Sequence, residues 1–409
     1  MHINHLPREI LDNIPLVGLA ARYAVRVCRE WRSIFGPKLY QVIYFEKLGD
    51  RALSDDNGFR EGEGHDSTAI AKIPPAEARI VDQDALHLWL HKVCESAELR
   101  PYVREIYLMS DLVFTGKSIA TSSGRANTAC DGPLFDDWAA ALSSLTHLEH
   151  LSLTASWTIR LGGRHGVHTW MAPNAHDHFG GTVRPLWDTS DILYLGTRQA
   201  IRTIHIIGGQ IGSATVPDGG GLTATATTLI LDTVVVAGPT FESLLPRFPY
   251  LQTLIWRRPP NTCAPGDVHC VCEGSITQDL DRALTGLRDS LTVLRLEFQT
   301  QGQFRWRPWR CPRDRHILRS LQSLSSLKVL TIAAELLVGR RGCRTCRRQE
   351  LFDKVPSQQL ARKLPRSLEH LTVIIDIAYA MYEPGFRSHI LQGLVTEQDA
   401  LPVLRHVVV

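Results

Sequence analysis

The sequence repeats one short pattern of apolar residues along most of its length. The order is apolar, two variable residues, apolar, one variable residue, apolar, and it occurs nine times. Because the last two apolar residues alternate with period two, both side chains lie on one face of a short strand. A single unit cannot bury this face, whereas stacked neighbours can bury it together. The copies are Val103–Leu108, Leu148–Leu153, Ile201–Ile206, Ala226–Leu231, Leu251–Trp256, Leu291–Leu296, Leu327–Ile332, Leu368–Val373 and Leu404–Val409.

Apolar residues at helical spacing precede several of these strands. Ile276, Leu280 and Leu284 step by four residues, which places them on one face of a helix. Leu134–Leu145 and Leu86–Ala97 have similar spacing. The sequence therefore predicts an α/β fold with parallel strands inside a stacked array and helices outside. An ordinary α/β domain whose strands happen to match the pattern is the alternative.

The repeated pattern resembles the leucine-rich repeat, in an irregular form with long insertions. The copies start 25 to 53 residues apart and lack the Asn or Cys that many such repeats carry after the strand. The resemblance implies a horseshoe-shaped array over residues 82–409. Val42–Phe45, which precedes this range, is a candidate for the first strand of the array.

Two motifs stand near the N-terminus, Leu6-Pro7-x-Glu9-Ile10-Leu11 and Val27-Cys28-Arg29-x-Trp31. Together they resemble the F-box, a three-helix unit that docks on the Skp adaptor of a cullin ubiquitin ligase. The resemblance implies a short helical unit over residues 1–45. In the alternative interpretation, this segment only caps the repeat array. The implied adaptor-binding residues are Leu6, Pro7, Ile10, Leu11, Cys28 and Trp31.

Residues 46–81 separate the F-box-like segment from the predicted array. They are rich in Gly and acidic residues, poor in apolar ones, and end near Pro74-Pro75. Such composition predicts a flexible linker or an exposed insertion.

Two segments that follow predicted strands are strongly basic. Residues 305–315 and 339–348 together contain ten Arg in 21 residues, and the first also contains two Trp. Arg pairs with carboxylate or phosphate, and insertions in a repeat array usually gather on its binding face. We therefore expect an acidic or phosphorylated protein partner here, with ordinary solvated loops as the alternative. The candidate partner-binding residues are Arg305, Trp306, Arg307, Trp309, Arg310, Arg340, Arg341, Arg344, Arg347 and Arg348.

Cysteines cluster in the same kind of segment. Cys343-x-x-Cys346 has a gap that lets two thiolates reach one tetrahedral zinc ion. Zinc binding is a secondary hypothesis beside free thiols or a reversible disulfide, and we expect no resident metal or cofactor. The candidate zinc ligands are Cys263, Cys270, Cys272, Cys343 and Cys346.

Composition excludes several classes of protein. No stretch approaches the roughly 18 to 20 apolar residues that span a bilayer, so we expect no membrane partner. Nine Cys spread over 409 residues, with no secretory signal pattern, favour a reducing compartment. The expected location is therefore intracellular, in the cytoplasm, the nucleus or both. No spacing supports a catalytic Ser-His-Asp or Cys-His set, so we expect no enzyme.

Taken together, the resemblances to the F-box and to the leucine-rich repeat imply the substrate-recognition subunit of a Skp–cullin–F-box ubiquitin ligase. The repeat array would hold a target protein, and the N-terminal segment would bind the adaptor. A repeat-based interaction scaffold outside any ligase is one alternative. The other is a basic RNA-binding module, because Arg and Trp also contact nucleic-acid backbones and bases. The net charge of +3 disfavours a nucleic-acid partner.

Overall fold

The computed structural model divides the chain into two compact units, Met1–Val167 and His168–Val409. Within the described part of the chain, no helix is both long and apolar enough to cross a membrane. The described residues are 40–46, 79–82, 96–108, 144–154, 186–198, 200–208, 210–212, 223–232, 234–236, 240–258, 276–298, 318–338, 359–375 and 386–409.

The first unit contains a parallel sheet in the order β2-β1-β3-β4. Its core face carries Ile43, Ile106 and Leu151, which are fully buried. These three residues align across the strands, because Ile43 pairs with Ile106 and Ile106 with Leu151. The strands are β1 (Val42–Glu46), β2 (Arg79–Asp82), β3 (Glu105–Leu108) and β4 (His150–Thr154).

The second unit contains a parallel sheet whose strands follow one another in chain order, β6-β8-β10-β11-β12-β13-β14. This order is the one expected when each repeat stacks on the repeat before it. The strands are β6 (Thr203–Ile207), β8 (Thr228–Asp232), β10 (Thr253–Arg258), β11 (Val293–Phe298), β12 (Val329–Ala333), β13 (His370–Ile374) and β14 (His406–Val408).

The copies of the pattern stack in register. The fourth residue of each copy pairs with the fourth residue of its neighbour, as Leu254 does with Leu294 and Leu294 with Leu330. The same backbone hydrogen bonds recur where the chain enters a strand. For example, the carbonyl of Arg202 accepts the N–H groups of Thr227 and Thr228, both at 2.9 Å. Stacking therefore satisfies backbone polar groups while it buries the apolar face.

A second, three-stranded parallel sheet accompanies the first strands of this unit. It comprises β5 (Leu186–Asp188), β7 (Gln210–Gly212) and β9 (Val235–Val236) in that order. Gly208, with φ of 71°, turns the chain between β6 and β7, a conformation that L residues with a side chain rarely adopt. The indole N–H of Trp256 donates to the carbonyl of Val234 at 3.0 Å.

Helices are few among the described residues, and most are short. Each 3-10 turn lies shortly before a strand of the sheet. The α-helices are α1 (Thr189–Gly196), α2 (Thr240–Leu244), α3 (Ile276–Thr285), α4 (Ala334–Val338) and α5 (Phe386–Thr396). The 3-10 turns are Arg100–Tyr102, Leu245–Arg247, Ser320–Ser323, Ala361–Lys363 and Gln398–Ala400.

Helices of neighbouring repeats pack closely on the core. A Cβ added to Gly196 would lie 2.6 Å from the Cβ of Ala224 and 3.1 Å from the ring of Phe248. The Asp281 carboxylate on α3 accepts the N–H of Ser320 at 2.7 Å, so it caps the turn of the next repeat.

The structure confirms the α/β character and the parallel strands at all nine copies of the pattern. It also confirms the candidate strand at Val42–Phe45, which forms β1 and pairs with β3 in repeat register; these residues lie in the segment for which a helical F-box-like unit was predicted. The predicted linker also needs correction at its end, since Arg79–Val81 belong to β2.

Candidate binding face of the repeat sheet

The face of the sheet opposite the core is formed by the third and fifth residues of each copy and by the residue that directly follows the copy, which we number as its seventh position. In β6 and β8, buried and partly exposed residues alternate along the strand. This alternation follows from the pleat of a strand whose other face packs on the core. We call the residues at these positions in the second unit the outer face.

A row of charged side chains crosses four neighbouring strands of the outer face. Arg257 on β10 stands between two carboxylates: its Nη1 lies 3.4 Å from Asp232 Oδ2, and its Nε donates to Glu297 Oε2 at 3.0 Å. His205 Nε2 on β6 lies 4.0 Å from Asp232 Oδ2. We call these four residues the charge row. Three of its members, Asp232, Arg257 and Glu297, align across the strands and alternate in charge because each occupies the seventh position of its copy. His205 lies two positions earlier in its own copy, so it approaches Asp232 diagonally.

The charge row is largely shielded from water. The side chains of His205 and Arg257 are each 13% exposed, and that of Asp232 is 6% exposed. Burial raises the pKa of the Asp232 carboxyl above its usual 3.8, the nearby Arg257 opposes this shift, and Glu297 adds to it. Two carboxylates share one guanidinium, so Arg257 is the residue on which the row depends.

Arg295 lies on the same face, beside the charge row. It stands on β11 between Ile255 and Thr331, its partners in register on β10 and β12. Its Nε is buried and has no hydrogen-bond partner among the residues that the structure describes. A buried donor without an acceptor favours a partner that supplies a carboxylate or phosphate oxygen.

The outer side of the first unit's sheet carries two stacked rings beside a glutamate instead. The Tyr107 hydroxyl donates to Glu105 at 2.8 Å, and its ring stacks on His150 with centroids 4.7 Å apart. Burial lowers the pKa of His150 from 6.5 to about 4. Burial, and then the hydrogen bond and charge of Glu105, raise the pKa of Tyr107 well above its usual value. Both rings are therefore neutral at pH 7.

The site residues predicted from the sequence lie outside the described residues. This applies to the adaptor-binding set Leu6, Pro7, Ile10, Leu11, Cys28 and Trp31. It applies to the Arg- and Trp-rich set Arg305, Trp306, Arg307, Trp309, Arg310, Arg340, Arg341, Arg344, Arg347 and Arg348. It applies also to the cysteines Cys263, Cys270, Cys272, Cys343 and Cys346.

The strands that lead into these segments are described, and they are neighbours. β10, β11 and β12 pair in parallel, so the segments that follow them leave from the same end of adjacent strands. That arrangement was the premise for expecting the Arg-rich segments to lie on one binding face. Within the described ranges, no group of three or more His, Cys, Asp or Glu side chains could hold a metal ion.

The charge row and Arg295 were not predicted from the sequence. The signal was present, since Asp232, Arg257 and Glu297 occupy the seventh position of three successive copies. It becomes visible only when the copies are aligned and their strands are taken as neighbours. The chain matches no model of a known protein family and no curated protein sequence.

Proposed function

We propose that this chain is the substrate-recognition subunit of a Skp–cullin–F-box ubiquitin ligase in the cytoplasm or nucleus. Its repeats, curved as a leucine-rich-repeat horseshoe, would hold a target protein, while a helical unit within residues 1–45 would bind the adaptor. The main support is the series of strands stacked in repeat register, with charged side chains on their outer face. The F-box-like motifs support the link to the ligase.

Such a receptor performs no bond chemistry of its own. It holds the target near the ubiquitin-carrying enzyme of the ligase and so raises the effective concentration of the target's lysines. The array suits this role because its copies repeat a surface over many strands, and an extended target segment contacts several copies at once.

The Arg side chains of the array indicate the chemistry of the target. Arg295 offers a buried Nε donor without a partner among the described residues. The ten Arg of residues 305–315 and 339–348 lie in segments that follow β11 and β12. An acidic or phosphorylated segment complements both features, because guanidinium groups bind carboxylates and phosphates in paired hydrogen bonds.

Adaptor binding is tested by co-purification with the Skp adaptor. We expect Leu6→Ala combined with Pro7→Ala to abolish it, because both residues belong to the Leu-Pro entry of the motif. A matched control is Pro15→Ala with Leu16→Ala, which makes the same chemical changes outside the two motifs. Equal capture of wild type and the Leu6/Pro7 variant would refute adaptor binding through this surface.

Target binding is tested by affinity capture from the native cell, followed by mass spectrometry. We expect reversal of Arg340, Arg341, Arg344 and Arg347 to Glu to remove the target but leave the adaptor. The control reverses four exposed Arg outside the Arg-rich segments. Unchanged capture by the first variant, or equal loss in the control, would rule out these segments as the binding surface. The control residues are Arg202, Arg288, Arg319 and Arg366.

The same capture experiments, together with an RNA-binding assay, distinguish two other functions. A scaffold outside any ligase would keep its protein target but fail to capture the adaptor. A basic RNA-binding module is favoured by the two Trp among the Arg of residues 305–315. It would bind RNA with an affinity that falls steeply as salt rises.

A further inference from the structure

Two histidines stand side by side on neighbouring strands at one end of the second unit's sheet. His370 on β13 and His406 on β14 are partners in register. Their ring centroids lie 5.7 Å apart, with the ring planes at 60°. Both side chains are exposed.

This spacing suits two imidazoles that share one metal ion. Zinc-to-nitrogen distances are about 2.0–2.1 Å, which puts the ring centroids of two His ligands on a tetrahedral ion about 5 Å apart. The observed separation is slightly larger. Because the His χ2 angle has a broad energy minimum and both rings are exposed, small rotations close the difference.

Nothing in the described structure competes for these rings. Neither imidazole makes a hydrogen bond or an ion pair with another described residue. The adjacent Glu369 carboxylate points to Lys328, whose Nζ lies 3.4 Å from its Oε1. On the other side of His370, the in-register neighbour is the apolar Val329. Within the described part of the chain, both ring nitrogens of each His are therefore available as ligands.

We propose that His370 and His406 together bind one divalent first-row transition-metal ion. Imidazole suits zinc, copper and nickel, whereas magnesium and calcium prefer oxygen ligands. With two protein ligands the ion keeps open positions, which water fills, so the site is exchangeable. Because the ligands lie on different strands, the bound ion links β14 to β13 and stabilises the end of the sheet.

The test uses copper(II) nitrilotriacetate, a chelate that leaves two coordination positions for imidazoles. Calorimetric titration of the full chain is compared with His370→Ala and His406→Ala. Each substitution should weaken binding at one equivalent about 100-fold or more, because the second imidazole binds intramolecularly in the wild type. His147→Ala removes an exposed His elsewhere and should leave that equivalent unchanged.

Hydrogen exchange independently locates the binding site of the chelate. The chelate should slow amide exchange across residues 404–409 in the wild type and leave it unchanged in both single variants. His370→Gln and His406→Gln repeat the comparison with polar side chains, in case an Ala variant alters folding. The proposal is overturned if either single variant retains wild-type affinity, or if His147→Ala weakens binding equally. It also fails if the chelate protects other parts of the chain but not β14.

Discussion

Arg257→Met removes the central cation of the charge row while it keeps much of the side chain's aliphatic length. Arg257 bonds to Glu297 and pairs with Asp232, which is only 4% exposed. Removing one partner of a fully buried ion pair costs about 3–5 kcal/mol. Because Glu297 keeps 25% of its side chain exposed, water stabilises part of the charge left behind. We therefore expect a loss of about 2–3 kcal/mol.

Arg282→Met is the matched control. Arg282 pairs with one carboxylate, since its Nη1 lies 2.8 Å from Glu242 Oε1, and its side chain is 56% exposed. Exposed ion pairs contribute about 0–1 kcal/mol. The two substitutions are chemically identical, so their difference reports the effect of burial and of the second carboxylate.

Hydrogen exchange measured by mass spectrometry reports the loss of stability locally, in the peptides that contain the charge row. If the equilibrium between the closed and the locally open sheet governs exchange, a loss of 2–3 kcal/mol should speed exchange of β10 and β11 amides by about 30- to 150-fold. The Arg282→Met chain should show a change of about fivefold or less in the same peptides. Equal exchange in the two variants would show that the charge row contributes no net stability, and the physical account of this face would be wrong.

Three further substitutions test the packing and the electrostatics. Gly196→Ala should cost about 1–3 kcal/mol in urea unfolding, because its new Cβ meets that of Ala224; Gly286→Ala, with 3.5 Å to its nearest neighbour, is the control and should be neutral. Trp256→Phe should lower the unfolding free energy by about 1–2 kcal/mol, since it removes a buried indole hydrogen bond. Burial raises the pKa of Asp232 in the folded state, so the folded protein holds this proton more tightly than the unfolded chain does. The resulting contribution to folding stability is fully present below the unfolded-state pKa, and it is lost as pH rises through the folded-state pKa. Asp232→Asn should therefore flatten the decline of stability in this pH range, and an unchanged slope would contradict the assignment.

Much of the sheet could be predicted because its signal is local and repeated. Leu254, Leu294 and Leu330 occupy the same position of their copies, and all three are fully buried and in register. The strand at Val42–Phe45 was predicted without the rest of its copy, because Tyr40, an aromatic residue with a polar hydroxyl, occupies the first position. The alternation of two apolar positions thus determines which face each strand buries.

The structure of the connections between strands was harder to predict than the strands themselves. The copies at Ile201, Ala226 and Leu251 start 25 residues apart, which leaves little chain for a full helix between strands. Pro246 also lies within the 3-10 turn Leu245–Arg247, where it disfavours a longer helix. The strands β7 and β9 have three and two residues, too few to show a period.

The charge row depends on register between distant parts of the sequence. Asp232, Arg257 and Glu297 are 25 and 40 residues apart in sequence, so no local pattern joins them. Their contact follows once the strands are known to be adjacent and aligned. The site residues of the N-terminal motifs and of the Arg-rich segments remain predictions, because they lie outside the described residues.

Disulfide trapping between neighbouring strands tests the repeat register most directly. Val293 and Val329 are partners in register on β11 and β12, and Cα atoms of such partners lie within the 4.4–6.8 Å range of disulfides, about 5 Å apart. Val293→Cys with Val329→Cys should therefore form the crosslink under mild oxidation, as identified by peptide mass spectrometry. Val293→Cys with Thr331→Cys, displaced by two residues, should not. Efficient crosslinking of the displaced pair, or of neither pair, would contradict the stacked repeat array.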